Sequence, residues 1–118
     1  MTKYDLEERL ITFSVSIINL SNLIVKTKAG NHLSGQIIRS GTSVALNYGE
    51  AQSSESKKDF IHKFKIILKE LRETLISLKI IEQSNLIKNT SLIEEAKDEC
   101  GQLISIFVKS IETAQKNN

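Results

Sequence analysis

The sequence predicts an all-α fold, an antiparallel up-down-up-down four-helix bundle, on three observations. Apolar residues recur at steps of three and four in four separate stretches, the spacing that gathers side chains on one face of a helix. The chain has no proline and only five glycines, which argues against a turn-rich all-β chain and against disorder. At 118 residues it has the length of a single domain, residues 1–118, with enough chain for a real core and too little for two. Four helices joined by short loops pack most simply as antiparallel neighbours.

Helix one is expected at about 3–27. Leu6, Leu10, Phe13, Ile17, Leu20 and Ile24 mark its buried stripe. Ile11, Ile18 and Val25 form a second stripe about 120° away by the 3.6-residue turn, so this helix must meet more than one neighbour. The uncharged run from Leu10 to Val25 superficially resembles the apolar part of a signal peptide. Asp5, Glu7 and Glu8 precede it, Ser14, Ser16, Asn19, Ser21 and Asn22 dilute it, and Lys26 to Lys28 stands where small residues would be cleaved. It is also shorter than the ~20 apolar residues of a bilayer span, so it reads as a buried amphipathic helix. Ala29-Gly30-Asn31 is read as its end, with Gly30 as a left-handed cap.

Helix two, about 32–53, carries Leu33, Ile37, Val44, Tyr48 and Ala51 on one face with Ser40, Gly41 and Ala45, small residues that admit a neighbouring backbone. Its only charges are Arg39 and Glu50, and a helix so poor in charge is rarely left to bulk water, so something covers it. Helix three, about 57–83, opens on Ser56-Lys57-Lys58-Asp59, a capping box with Asp in the Glu position, and carries a core stripe of Phe60, Phe64, Ile67, Leu71, Leu75 and Leu78. Ile66 and Ile80 fall off that stripe, as subunit contacts or as scattered surface residues. Helix four, about 92–115, is expected to open at the capping box Ser91-Leu92-Ile93-Glu94 and to bury Ile93, Ala96, Cys100, Ile104, Phe107 and Ile111. Cys100, the one cysteine, cannot form an intrachain disulfide and reads as a small core residue in a reducing cytoplasm.

Chemistry leaves few signatures. A net charge of +2 is too mild to require a nucleic acid or an anionic membrane. Asp59 and His62 match the acid-x-x-His spacing of carboxylate-bridged metal bundles, but such sites need two copies of that motif plus two more inward carboxylates, and there is one copy here, so no metal is expected. With two histidines, one cysteine and no Gly-rich phosphate loop, the usual marks of nucleophilic, redox and nucleotide-dependent chemistry are absent from the sequence; neither an enzyme, a cofactor nor a small-molecule substrate is expected. Two constellations remain. Lys58, His62, Lys65, Lys69 and Arg72 form a basic stripe opposite the apolar face of helix three, either a solvated face or a track for phosphates, without aromatic residues interleaved to stack bases. Arg39, Ser43, Asn47 and Glu50 form the other, in which the charges should be paired if buried, with Asp59, Glu70 or Lys65 as partners in the same or a neighbouring subunit.

Arg39-Ser40-Gly41-Thr42-Ser43-Val44-Ala45, Asn47-Tyr48, Glu50-Ala51, Ser56, Asp59-Phe60-Ile61-His62-Lys63 and Leu68-Lys69-Glu70, followed by Glu73-Thr74, closely resemble the four-helix-bundle family named for open reading frames in 23S ribosomal-RNA intervening sequences. The resemblance covers about half the chain as motif and all of it as helix layout. It implies a homopentameric ring or barrel of bundles and no established enzymatic activity. More distantly, the chain is similar to the accessory variability protein of diversity-generating retroelements, which implies RNA or a nucleic-acid enzyme as partner. Carried over, the family motif makes Arg39, Ser43, Asn47, Glu50, Asp59 and Glu70 the polar framework of the bundle and its subunit contacts. The chain departs from the pattern near Ile76 and Ser77, where the family often has aromatic residues, and at Gly49, where it often has a basic or large one.

Overall fold

A computed structural model describes residues 1–117. Four helices follow one another: α1 (Lys3–Ser21), α2 (Lys28–Ala51), α3 (Lys57–Gln83) and α4 (Thr90–Lys116). Each opens on a residue whose side-chain oxygen accepts an otherwise unpaired backbone N–H of the first turn. Thr2 and Asp5 form a reciprocal capping box. Thr27 accepts from the Gly30 N–H, Ser56 from Asp59 and Asn89 from Leu92.

Helix ends are where sequence and structure part. α1 stops at Ser21, not near 27, and α2 starts at Lys28, so Gly30 sits in the first turn of α2 and caps nothing. Its lack of a side chain matters for a different reason: a Cβ there would lie 1.8 Å from the Val25 carbonyl oxygen and 3.2 Å from Ile24 Cγ2, so the incoming chain can pass only over a glycine. Among the described residues the left-handed one is Asn85, with φ at 55°, just past α3, where the Leu86 N–H reaches back to the Ile81 carbonyl at 3.1 Å. α4 is capped by Asn89, not by Ser91.

Side-chain contacts fix the directions. Ser14 donates to the Gly41 carbonyl and Tyr48 to that of Lys3, so α1 and α2 run antiparallel. Lys63 with Glu50, and Thr74 with Ser40, do the same for α2 and α3. Phe64 against Phe107, and Glu82 with Lys97, do so for α3 and α4, and Arg9 with Glu99 closes α4 onto α1. Helices α1 and α3 lie across the diagonal, their backbones apart, and point the same way. The bundle is 48 × 21 × 20 Å.

Leu10, Ile17, Ile37, Val44, Ile67, Leu71, Leu78, Ile93, Leu103 and Phe107 are fully buried on the axis. Tyr48, Phe60, Phe64 and Phe107 pack ring on ring at one end. Ile24, Leu86 and Ile87 plug the other from the two loops there, which are joined by a hydrogen bond from the Val25 N–H to the Leu86 carbonyl at 2.8 Å. No helix among the described residues is long and apolar enough to cross a membrane.

Candidate interaction surfaces

The seam between α2 and α3 holds the polar groups. Small residues on α2 let α3 approach closely, and the hydroxyls of Ser40 and Thr74 meet there, fully buried, at 2.7 Å. Thr74 also donates to the Glu70 carbonyl at 2.8 Å, which leaves Ser40 to donate to Thr74. At the rim of the same seam Arg39 forks onto Glu70 at 3.1 Å and onto Glu73, and Gln36 donates to the other oxygen of Glu73. The Arg39 guanidinium holds the Glu73 carboxyl below its ordinary value, and Glu73 in turn raises that of Arg39.

The expected framework is thus partly gathered. Arg39 and Glu70 meet within one chain, and Glu50 pairs with Lys63 at 3.1 Å. Ser43 and Asn47 instead bond back to carbonyls of their own helix, at Ser40 and Ser43. Asp59 is an exposed first-turn acid, away from Arg39 in the chain's bonding network. Gln36, Ser40, Glu73 and Thr74 also belong to the cluster, and of these Ser40 and Thr74 are the polar partners that the sequence pattern does not single out. The signal for Glu73 was there, since it lies one turn beyond Glu70.

On α3, Lys58, His62, Lys65, Lys69 and Arg72 are all exposed. None of these side chains forms an ion pair among the described residues, whereas Arg9, Arg39, Lys63 and Lys97 all do. Lys69 acts on Glu73 only as a nearby charge. The stripe does not end at Arg72: one turn further along the same line stand Ile76 and Ile80, 56% and 45% exposed. Ile66, by contrast, is half-buried.

A larger apolar surface covers the outside of α1 and α2. Ile11, Val15 and Ile18 stand 41–50% exposed on α1. Ser14 opposite Gly41 and Ser34 opposite Ser21 set the register, which puts Ile38 at the level of Ile18, while Leu46, 68% exposed, stands on the outer face of α2. The second stripe of helix one therefore finds no cover within the chain, although the helix packs on both α2 and α4.

Candidate catalytic groups do not converge. Asp59 and His62 are exposed, and no cluster of three His, Cys, Asp or Glu side chains able to hold a metal exists among the described residues. Cys100 is fully buried, donates to the Leu71 carbonyl at 3.2 Å, and has its thiol pushed up to about 12, chiefly by burial. A groove of about 700 Å³ at the aromatic end, lined by Leu6, Tyr48, Phe60, Phe64 and Ile106 among others, includes neither His, Cys, Asp nor Glu in its wall.

The family model for 23S rRNA-intervening sequence proteins matches residues 3–109. In shape the chain is similar to the crystal structure of a protein of unknown function from the S23 ribosomal protein family of Bacteroides thetaiotaomicron. The TM-score is 0.84 at 29% identity, over 95% of this chain and 99% of that one. No curated protein matches the chain.

Proposed function

This chain belongs to the 23S rRNA-intervening sequence protein family, and we propose that it works as a non-enzymatic scaffold that assembles with copies of itself, in the homopentameric ring that the family resemblance implies. The observation that carries the reading is the apolar surface spread over α1 and α2. Scattered apolar residues on a surface need no explanation, but Ile11, Val15 and Ile18 in one line along α1, with Ile38 at the level of Ile18 on α2, form an exposed apolar run of the kind that marks an interface. The test is the mass of the nuclease-treated protein by light scattering behind a sizing column. An assembled species for the parent and a loss of it in Val15→Glu, with helical content unchanged, is the expected result; a parent that runs as a 13.3 kDa monomer overturns the reading.

A second reading has its own observation. Lys58, Lys65, Lys69 and Arg72 present positive charge that nothing in the chain neutralises by an ion pair among the described residues. That suits an accessory module that holds RNA, or the RNA of a nucleic-acid enzyme, by its phosphates. Such binding falls steeply with salt and is lost on charge reversal at these four positions; weak binding indifferent to both sinks it.

A further inference from the structure

The exposed stripes of α1 and α3 match each other in a way that names the contact between copies. Along α1 the outward line reads Glu8, Ile11, Val15, Ile18; along α3 it reads Lys69, Arg72, Ile76, Ile80. Both follow the steps of three and four that keep side chains on one helix face, and the first three pairs share one offset along the chain. Each line starts charged and ends apolar, with opposite signs of charge. Glu8 makes no ion pair within the chain among the described residues, nor do Lys69 and Arg72.

We infer that α1 of one copy packs in parallel against α3 of the next, with Glu8 on Lys69, Val15 on Ile76 and Ile18 on Ile80. The inference rests on the self-assembly reading and adds to it the partner face and the register. Helices α1 and α3 stand at opposite corners of one bundle and run in the same direction, so simple placement of a second copy alongside the first brings the two stripes together in parallel. In register, the contact covers Val15, Ile18, Ile76 and Ile80 and pairs Glu8 with Lys69. The Arg72 stem lies over Ile11 and its guanidinium stays within reach of Glu7 and Glu8. A two-fold pairing of α1 with α1 sets Glu8 against Ile18 when antiparallel, burying an acid on an apolar residue, and against the second copy's Glu8 when parallel, opposing like charges; both are costly. Different faces meeting head to tail make a heterologous contact, which closes into a ring when the rotation between copies divides the circle. The same placement draws Lys69 and Arg72 into the assembly and leaves Lys58, His62 and Lys65 open to solvent.

Disulfide trapping tests the register. The double variant Val15→Cys with Ile76→Cys, purified, nuclease-treated and mildly oxidised, is expected to give a ladder of cross-linked chains on a denaturing gel. Each single variant is expected to stay monomeric there, and Cys100 is too deeply buried to contribute. Dimers from Val15→Cys alone mean α1 pairs with α1 and overturn the inference. So does a double variant of normal assembled mass that fails to cross-link, a result that leaves the scaffold reading intact. A parent protein that is monomeric overturns both. Charge exchange reads the polar end: Glu8→Lys is expected to lose assembled mass and Lys69→Glu, added to it, to restore it. Loss that is not restored, in a protein of normal helical content, counts against the Glu8–Lys69 pairing.

Discussion

At the scale of single residues, the glycines report most directly on packing, because what a methyl group would meet differs sharply among them. At Gly30 a Cβ would sit 1.8 Å from a backbone oxygen, which cannot move without moving the loop. At Gly41 it would sit 2.9 Å from Ile17 Cγ2, in the α1–α2 seam, where a side chain can shift a little. At Gly101 nothing lies within 4 Å. Alanine in a helix gains about 0.5–1 kcal/mol over glycine, and overpacking costs about 1–3 kcal/mol or more. Gly101→Ala should therefore stabilise, Gly41→Ala should destabilise by about 1–2 kcal/mol, and Gly30→Ala by more, with midpoints of urea unfolding as the measurement. A Gly30→Ala variant as stable as the parent would contradict the close passage of the chain at Val25. Cys100 offers a second residue-level test. Burial raises its thiol to about 12 from an ordinary 9.0, so the folded state holds its proton where the unfolded state has lost it. This contribution to stability is complete below about pH 9 and is lost as the pH rises toward 12. In the native protein at neutral pH the thiol should not react with Ellman's reagent, and it should react at once on denaturation.

At the scale of elements, the α2–α3 seam combines a buried hydroxyl pair with a charged rim, and the two parts make different predictions. Thr74→Val keeps the shape of the side chain but strands the Ser40 hydroxyl, at a cost of about 1–3 kcal/mol; the paired change with Ser40→Ala should recover part of that. The rim acts through pH. Arg39 holds Glu73 below its usual value in the folded state, so this pair stabilises above the ordinary carboxylate range and the contribution fades as the pH falls through it. Glu73→Gln should flatten the acid side of the stability profile and leave the neutral side lower; an acid limb identical to the parent's would mean that the pair is too exposed to matter. These contacts also show what the sequence could convey. Periodicity revealed four helices and nearly all of their core stripes, because a repeat of three and four constrains which residues share a face. It did not reveal where α1 ends, since Ile24 keeps the apolar rhythm after the backbone has left the helix at Ser21. Nor did it reveal that Gly30 serves a close crossing of chains, a contact between segments that no local pattern encodes. Arg39 with Glu70 was legible because a charge on a nearly neutral helix needs an opposite one nearby, whereas Ser40 with Thr74 was not, because small polar residues at a helix seam read equally well as mere room for the backbone.

At the scale of the whole molecule, the two functional readings draw on neighbouring surfaces but respond oppositely to salt. An assembly held by Val15, Ile18, Ile76 and Ile80 depends chiefly on apolar burial, which salt leaves unchanged or strengthens, and salt screens only its charged end at Glu8 and Lys69. Phosphate binding weakens with salt because each neutralised phosphate releases a counterion, and the steepness counts the contacts. If Lys58, Lys65, Lys69 and Arg72 all face a duplex, the logarithm of affinity should fall with the logarithm of salt at a slope of about −3.6 per bound copy. If the ring draws Lys69 and Arg72 into subunit contacts, two of the four remain and the slope should be about half as steep. Titrating a fluorescent RNA hairpin against the protein at several salt concentrations, with the assembled mass recorded at each, separates these cases. A slope near −2 with constant mass places RNA on the N-terminal half of α3 and subunits on the C-terminal half. A slope near −4 accompanied by dissociation into 13.3 kDa chains would mean that RNA and a neighbouring copy compete for one stripe, and that the ring is the form in which the stripe is closed.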